Sequence, residues 1–283
     1  MSEIYWNGEY KKKNEAMIPP DDRGFLFGDG VYEVVRIYKG RCFEMSAHEH
    51  RLLQSASSIG INIVDFKGMT EVAENLLRRN TLPNGDGILY YQITRGTAPR
   101  KHFFPGEEVP PNHYAYVQPL PVTDFKERPG ASVVTLPDRR WLECHIKSIA
   151  LLGSVLAAQQ AKEQGAVEAV LHRDSVVTEG SHTNVFAVLD GVLKTHPANH
   201  LVLNGITRRI VLELARKEGV PHEETSLSLS ELKSASEVFL TGTTVEIWPV
   251  TQLDGKPVGN GQTGPITQGL QSLFDRGNAD RLT

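Results

Sequence analysis

Two prolines in four residues, Gln118-Pro119-Leu120-Pro121, interrupt a chain otherwise written in strands and amphipathic helices, and they limit what it can fold into. Each proline pushes the residue before it toward extended backbone, so the stretch reads as a linker between two folding units. The expected organisation is a smaller α/β domain over residues 1–120 and a larger one over 121–283. At 283 residues, 40% of them hydrophobic, the chain carries enough apolar material for one large core or two smaller ones.

In the first half, residues 4–10 read as a strand with a turn at Asn7-Gly8. The stretch Arg23-Gly-Phe-Leu-Phe-Gly28-Asp29-Gly30 is not a dinucleotide fingerprint, which runs strand, loop, helix and needs a third glycine. Residues 31–38 are β-rich and turn back at Lys39-Gly40 as a hairpin. Period two puts Tyr32, Val34, Arg36 and Tyr38 on one face and Val31, Glu33, Val35 and Ile37 on the other. Tyr32, beside the glycine turn, is either a phenol reaching into a cleft or ordinary sheet packing. Helices are expected over 46–59, capped by Ser46 and carrying Arg51, and over Met69–Arg79 with Val72, Leu76 and Leu77 inward. His48-Glu49-His50 lacks a third ligand at metal spacing, so no metal site is expected. After a strand over 88–95, Arg100, Lys101 and His102 share a loop with Gly96, Pro99 and Pro105. Such a rigid positive loop suits a carboxylate, or is simply a solvated turn.

The second half alternates strands and helices. Strands are expected over 132–136 and 167–172, a helix over 148–165, and a hairpin about Asp190-Gly191. A helix opens at Gly205-Ile206-Thr207 with Ile210, Val211, Leu214 and Ala215 inward, and its first N–H groups make a ready anion site. A strand over 238–240 leads into Thr241-Gly242-Thr243-Thr244, a hydroxyl-rich turn of the kind that cradles phosphate. Lys147 ends the strand-like run Trp141-Leu-Glu-Cys-His-Ile-Lys147 and precedes Ile149, Leu151, Leu152, Val155 and Leu156, spaced like the buried face of a helix. An ammonium at such a junction is partly desolvated, which favours the neutral amine, the nucleophile toward carbonyls.

Glu179 through Asn184 and Phe186, then Leu193-Lys-Thr195, then Leu203-Asn-Gly205-Ile206-Thr207-Arg208, resembles the signature of class-IV pyridoxal-phosphate aminotransferases in every residue type and gap. The resemblance runs nearly end to end and is nearest the D-amino-acid aminotransferases, whose fold is shared with branched-chain aminotransferases. It implies a two-domain α/β (α+β) protein of fold type IV, with pyridoxal 5′-phosphate in the cleft between the domains. By the same resemblance Lys147 is the Schiff-base lysine and the proton shuttle between the substrate α-carbon and the cofactor C4′ atom. Glu179 partners the ring nitrogen, whose protonation lets the ring act as an electron sink. Arg51, Ile206, Thr207, Thr243 and Thr244 match the phosphate cup, and Leu203 the residue packed on the ring face. Tyr32, Arg100 and His102 match the groups that pin the α-carboxylate. Two positions depart from the pattern: His182 stands where a small hydroxyl residue is expected, and Gly242 replaces a hydroxyl in the phosphate turn.

The implied activity is amino transfer from D-amino acids such as D-alanine to 2-oxo acids such as 2-oxoglutarate, by a homodimer whose loop near Arg100 and His102 reaches the partner's site. The α-proton is removed on the lysine side of the cofactor ring, so handedness follows from where the carboxylate is pinned relative to Lys147. Branched-chain L-amino-acid transaminases, (R)-amine transaminases and aminodeoxychorismate lyase share the cofactor residues, as would a protein that merely sequesters the cofactor; the substrate loops must discriminate. A net charge of −4 gives no general reason to bind nucleic acid or an anionic membrane. Two cysteines far apart, no signal-like amino terminus and no apolar run of about 18 residues point to the cytoplasm.

Overall fold

A computed structural model describes residues 2–63, 68–122, 124, 128–277 and 279–283. They fall into two compact units: residues 1–122 with 146–151 and 281–283, and residues 123–145 with 152–280.

The first unit is built on six antiparallel strands in the order Glu9–Lys12, Glu3–Trp6, Asn112–Pro119, Gly87–Thr94, Gly30–Tyr38, Arg41–Cys42. The expected alternation holds over the first half of the strand Gly30–Tyr38, where Val31, Glu33 and Val35 are fully buried and Tyr32 and Val34 half-buried; toward its end both faces are covered, with Arg36 and Tyr38 buried as well as Ile37. Val31, Val35 and Ile37 pack in one core with Leu52 and Ala56 of the helix Met45–Ser58 and with Val72, Ala73 and Leu76 of the helix Met69–Arg79. The cap expected at Ser46 is absent. The helix begins one residue earlier, after Glu44 in the left-handed region (φ 53°), with no side-chain cap. Arg36, on the opposite face, donates to the carbonyls of Leu120 (2.7 Å) and Pro121 (3.1 Å), which fixes the proline stretch to this unit.

The second unit carries a ten-stranded mixed sheet. Its order is His222–Glu224, Val192–Thr195, Asn184–Leu189, Glu237–Gly242, Glu246–Leu253, Ala131–Pro137, Glu168–Arg173, Val176–Gly180, Leu227–Ser228, with Lys256–Pro257 paired to Glu246–Leu253. Ala131–Pro137 lies parallel to both neighbours, Glu246–Leu253 and Glu168–Arg173. Parallel pairing demands a crossover connection. The helix Leu152–Glu163 lies in the connection from Ala131–Pro137 to Glu168–Arg173 and packs through Ala157 and Ala161 on Val134, Leu136 and Leu171.

That helix corrects the reading of residues 148–165. It starts at Leu152, and Leu152, Val155 and Leu156 are exposed, Leu152 to 71%. The small alanines let the helix approach the sheet closely, so the larger apolar residues face away from this unit's core. No helix among the described residues is long and apolar enough to cross a membrane.

Candidate active site

Lys147 belongs to the first unit. It does not end a strand that runs into a helix, as its neighbours' spacing suggested. Residues 146–150 follow irregular backbone alongside the strand Gly30–Tyr38, with Ser148 bridged to Val31. Tyr32 N–H donates to the Lys147 carbonyl and Ile149 N–H to the Gly30 carbonyl, both at 3.0 Å. Lys147 N–H donates to Ser55 Oγ at 3.2 Å. With its backbone held on both sides, the half-buried side chain places Nζ 4.4 Å from the centre of the Tyr32 ring. Tyr32 in turn stacks on Tyr90 (5.7 Å, 27°), and Tyr90 on Tyr116 (5.1 Å, 22°), so its ring is fixed by the sheet.

Glu33, the next residue in the strand, points to the buried face and organises Arg51. Arg51 donates to its carboxylate from Nε (2.6 Å) and Nη2 (2.9 Å), and His48 Nδ1 stands 2.7 Å from the same group. Burial pushes the Glu33 carboxyl up, but Arg51 and His48 outweigh it and hold the group well below the usual carboxylate range. Burial pushes the His48 imidazole down, against the pull of Glu33. The guanidinium of Arg51 is therefore a fixed positive group, oriented by a carboxylate with no exposed surface.

Arg100 and His102 lie in the same unit, both exposed, on the loop after the strand Gly87–Thr94. Both approach the ring of Phe27: the Arg100 guanidinium at 5.0 Å and the His102 ring at 5.7 Å.

The remaining candidates lie in the second unit. Glu179 is buried at the end of the strand Val176–Gly180, and both of its oxygens are engaged. Oε1 accepts from Arg140 Nη1 (2.6 Å), and Oε2 accepts from Asn184 Nδ2 and from Leu203 N–H, each at 3.0 Å. Asp138 holds Arg140 in place through a two-pronged pair at 2.8–2.9 Å and also accepts from Thr178 and Arg173. Burial pushes the Glu179 carboxyl up to about 7, against the pull of Arg140 and the Leu203 N–H. Leu203 is thus tied to Glu179 by its own backbone, and Asn184 Nδ2 also donates to the Leu203 carbonyl at 2.8 Å.

Asn184 leads to the anion-binding candidates. Its cross-strand partner is Thr241, and a side chain at Gly205 would collide with its amide oxygen. Gly205 opens the helix Ile206–Lys217 with no side-chain cap, so the first N–H groups, those of Ile206 and Thr207, are not covered by a capping side chain. Thr241 Oγ1 is buried with no hydrogen-bond partner among the described residues. Thr243 and Thr244 follow in the turn to the strand Glu246–Leu253. His182 and Gly242 prove to be neighbours: a Cβ at Gly242 would lie 3.7 Å from the His182 carbonyl oxygen. The His182 imidazole is occupied by buried Glu168 (3.0 Å) and by Ser181 Oγ (2.9 Å), and Glu168 also accepts from Thr183 Oγ1 at 3.0 Å.

The candidates thus divide between the two units. Tyr32, Arg51, Arg100, His102 and Lys147 are in the first; Glu179, Leu203, Ile206, Thr207, Thr243 and Thr244 are in the second. Sequence reasoning missed Glu33, Arg140 with Asp138, and Glu168. The signal for Glu33 was present, since a carboxylate on an otherwise apolar strand face must find buried partners. Glu168, in the run Val167-Glu-Ala-Val-Leu, carried the same signal.

The amino-transferase class IV model matches residues 30–253. The chain belongs to the class-IV aminotransferase family. D-alanine aminotransferases of Staphylococcus epidermidis and Staphylococcus aureus are 41% identical to it over 277 residues, 98% of each chain. That of Bacillus licheniformis is 42% identical over 96% of this chain and 95% of its own. Among solved structures, the branched-chain aminotransferase of Thermoproteus uzoniensis with norvaline superposes with a TM-score of 0.88 at 26% identity, covering 100% of this chain and 98% of that one. The Escherichia coli branched-chain enzyme gives 0.89 at 26%, covering 98% and 94%. The aminotransferase therefore has the fold-type-IV architecture and is a pyridoxal-phosphate-dependent enzyme. Its residues fit that cofactor on two counts. Glu179, whose carboxyl burial raises to about 7, would ionise readily beside a cationic group such as a protonated ring nitrogen. The orphaned Thr241 hydroxyl and the uncapped helix at Gly205 offer donors to a phosphate.

Proposed function

We propose that this aminotransferase moves the amino group of D-amino acids, D-alanine among them, to 2-oxo acids such as 2-oxoglutarate, giving pyruvate and D-glutamate. The observation that carries the reading is 41% identity with D-alanine aminotransferases along 98% of the chain, against 26% with the solved branched-chain enzymes. When bound, the cofactor supplies an electron sink for the charge left at the substrate α-carbon.

Lys147 Nζ is the group that attaches the cofactor, and it serves as the base that removes the α-proton and the acid that returns it. Its place over the Tyr32 ring keeps it oriented in either charge state, because the ring face attracts the ammonium and packs against the amine. Glu179 holds the proton at the ring nitrogen: the carboxyl is already anchored by Arg140, Asn184 and Leu203 N–H, so no reorganisation is needed when it ionises. Arg51, the backbone of Ile206 and Thr207, and the turn of Thr243 and Thr244 would hold the phosphate, and Leu203 would contact the ring. Tyr32, Arg100 and His102 bind the α-carboxylate, the arginine through paired charge-assisted hydrogen bonds.

We also propose that the protein is cytoplasmic and a homodimer. Its two cysteines are buried free thiols, and Phe103 and Phe104 beside the cationic loop are exposed apolar surface of the kind interfaces cover. Sedimentation velocity giving a monomer at micromolar concentration would count against the dimer.

Chiral analysis after incubation with racemic alanine and 2-oxoglutarate tests the substrate assignment. The expected result is depletion of D-alanine and appearance of D-glutamate. Depletion of L-alanine alone would reject it.

A further inference from the structure

Residues 22–30 lead into the strand of Tyr32 and pack against the loop of Arg100 and His102. The one-and-a-half-turn helix Arg23–Phe27 is capped by buried Asp22, which accepts from Phe25 N–H at 3.0 Å. It is closed by Gly28 in the left-handed region (φ +68°). Asp22 also accepts from Thr94 Oγ1 and Asn112 Nδ2, both at 2.7 Å, so the helix is nailed to two strands.

Asp29 follows and gathers two buried arginines. Arg23 Nε (2.8 Å), Arg95 Nε (2.8 Å) and Arg95 Nη2 (2.9 Å) all donate to its carboxylate. Both arginines then reach the loop. Arg23 Nη1 donates at 2.7 Å to the carbonyl of Lys101, the residue between Arg100 and His102. Arg95 lies 3.5 Å over the ring of Phe104 and donates to the carbonyls of Ile59 and Gly60.

Phe27 completes the arrangement, with the guanidinium of Arg23 at 4.8 Å from its ring centre, that of Arg100 at 5.0 Å and the ring of His102 at 5.7 Å. A guanidinium lying over an aromatic ring keeps its in-plane N–H edge available for a carboxylate.

We propose that Phe27 is a positioning residue for substrate carboxylate recognition: its ring, backed by the Arg23–Asp29–Arg95 cluster, holds Arg100 and His102 ready for the carboxylate. The role of Phe27 rests on the carboxylate assignment made above; the brace itself does not. An exposed loop carrying two donors would otherwise lose side-chain freedom each time substrate binds, and fixing it beforehand removes that cost.

Phe27→Leu keeps apolar volume and removes the ring. It should raise KM for both D-alanine and 2-oxoglutarate by about five- to tenfold, with kcat within about twofold, and Phe27→Tyr should restore KM. Combined with Arg100→Ala it should add nothing to the single variant's defect. Trypsin cutting after Arg100 and Lys101 reads the brace without any turnover: the rate should rise several-fold in Phe27→Leu, with or without cofactor. Asp29→Asn should raise it further, and if that variant does not fold, Phe27→Leu decides alone. An unchanged cleavage rate in Phe27→Leu overturns the brace. Unchanged KM in Phe27→Leu, where Arg100→Ala raises it, overturns the positioning role. If Arg100→Ala itself leaves both KM values unchanged, the carboxylate assignment falls with the positioning role, and the cleavage rate alone decides the brace.

Discussion

Glu33→Gln is the perturbation whose consequence can be worked most fully from the structure. The native carboxylate receives three donors: Arg51 Nε at 2.6 Å, Arg51 Nη2 at 2.9 Å and His48 Nδ1 at 2.7 Å. A glutamine of the same shape offers one oxygen and a donating NH2 group, so at least one native donor meets another donor. The Arg51 charge also loses its counter-charge at a site where Glu33 is fully buried and Arg51 nearly so. Removing one member of a buried charge pair costs about 3–5 kcal/mol, much of it from the charge left behind. The apoprotein should lose stability by about that amount in urea unfolding at pH 7, where native Glu33 is ionised.

The pH dependence has a definite sign. The folded-state value of Glu33 is depressed, so its contribution is complete above the ordinary value of 4.5 and is lost as pH falls below it. Wild type and variant should therefore converge on acidification. Because Arg51 is oriented by this carboxylate, cofactor affinity measured by equilibrium dialysis should also drop, by about tenfold. A stability change under about 1 kcal/mol at pH 7, with cofactor affinity intact, would refute the claim that Glu33 fixes Arg51.

Three further substitutions test the assigned roles. Lys147→Ala should abolish borohydride-fixed cofactor and nearly all turnover; a cofactor found by peptide mapping on another lysine contradicts the assignment. Glu179→Gln should retain cofactor yet slow the proton-transfer steps sharply, and unchanged single-turnover rates would leave Glu179 only a structural role. The same variant should alter apoprotein stability in the opposite sense to Glu33: the native carboxyl is raised to about 7, so its contribution is present below 4.5 and lost as pH rises to about 7. The glutamine protein should show a smaller decline across that window. Arg100→Ala should raise KM for amino donor and oxo-acid acceptor while the bound cofactor's spectrum is unchanged, with a loss of roughly 2–5 kcal/mol in binding.

Local patterns carried much of the fold. Alternation identified the buried face of the strand Gly30–Tyr38, helical spacing identified Met69–Arg79 and the inward residues of Ile206–Lys217, and the Asp190-Gly191 turn identified its hairpin. These features depend on neighbours in sequence. Residues 146–156 misled because apolar spacing says that a face is covered without saying by what. Ala157 and Ala161 pack on the sheet, and Leu152, Val155 and Leu156 do not. The site divides in the same way. Candidate positions stood out through motif spacing, but the groups that orient them meet only in the tertiary fold. Asp29 takes its two arginines from 6 and 66 residues away, and Arg140 reaches Glu179 across 39 residues. Long-range pairs of this kind leave no periodic trace. Their only local sign is a charged residue in apolar company, as at Glu33 and Glu168.

The most direct test of the substrate assignment is a pair of half-reactions followed through the cofactor absorption band of the purified enzyme, one with D-alanine and one with L-leucine. Conversion by D-alanine should be rapid, and conversion by L-leucine slower by orders of magnitude. Faster conversion by L-leucine would contradict the assignment and place the enzyme with the branched-chain aminotransferases.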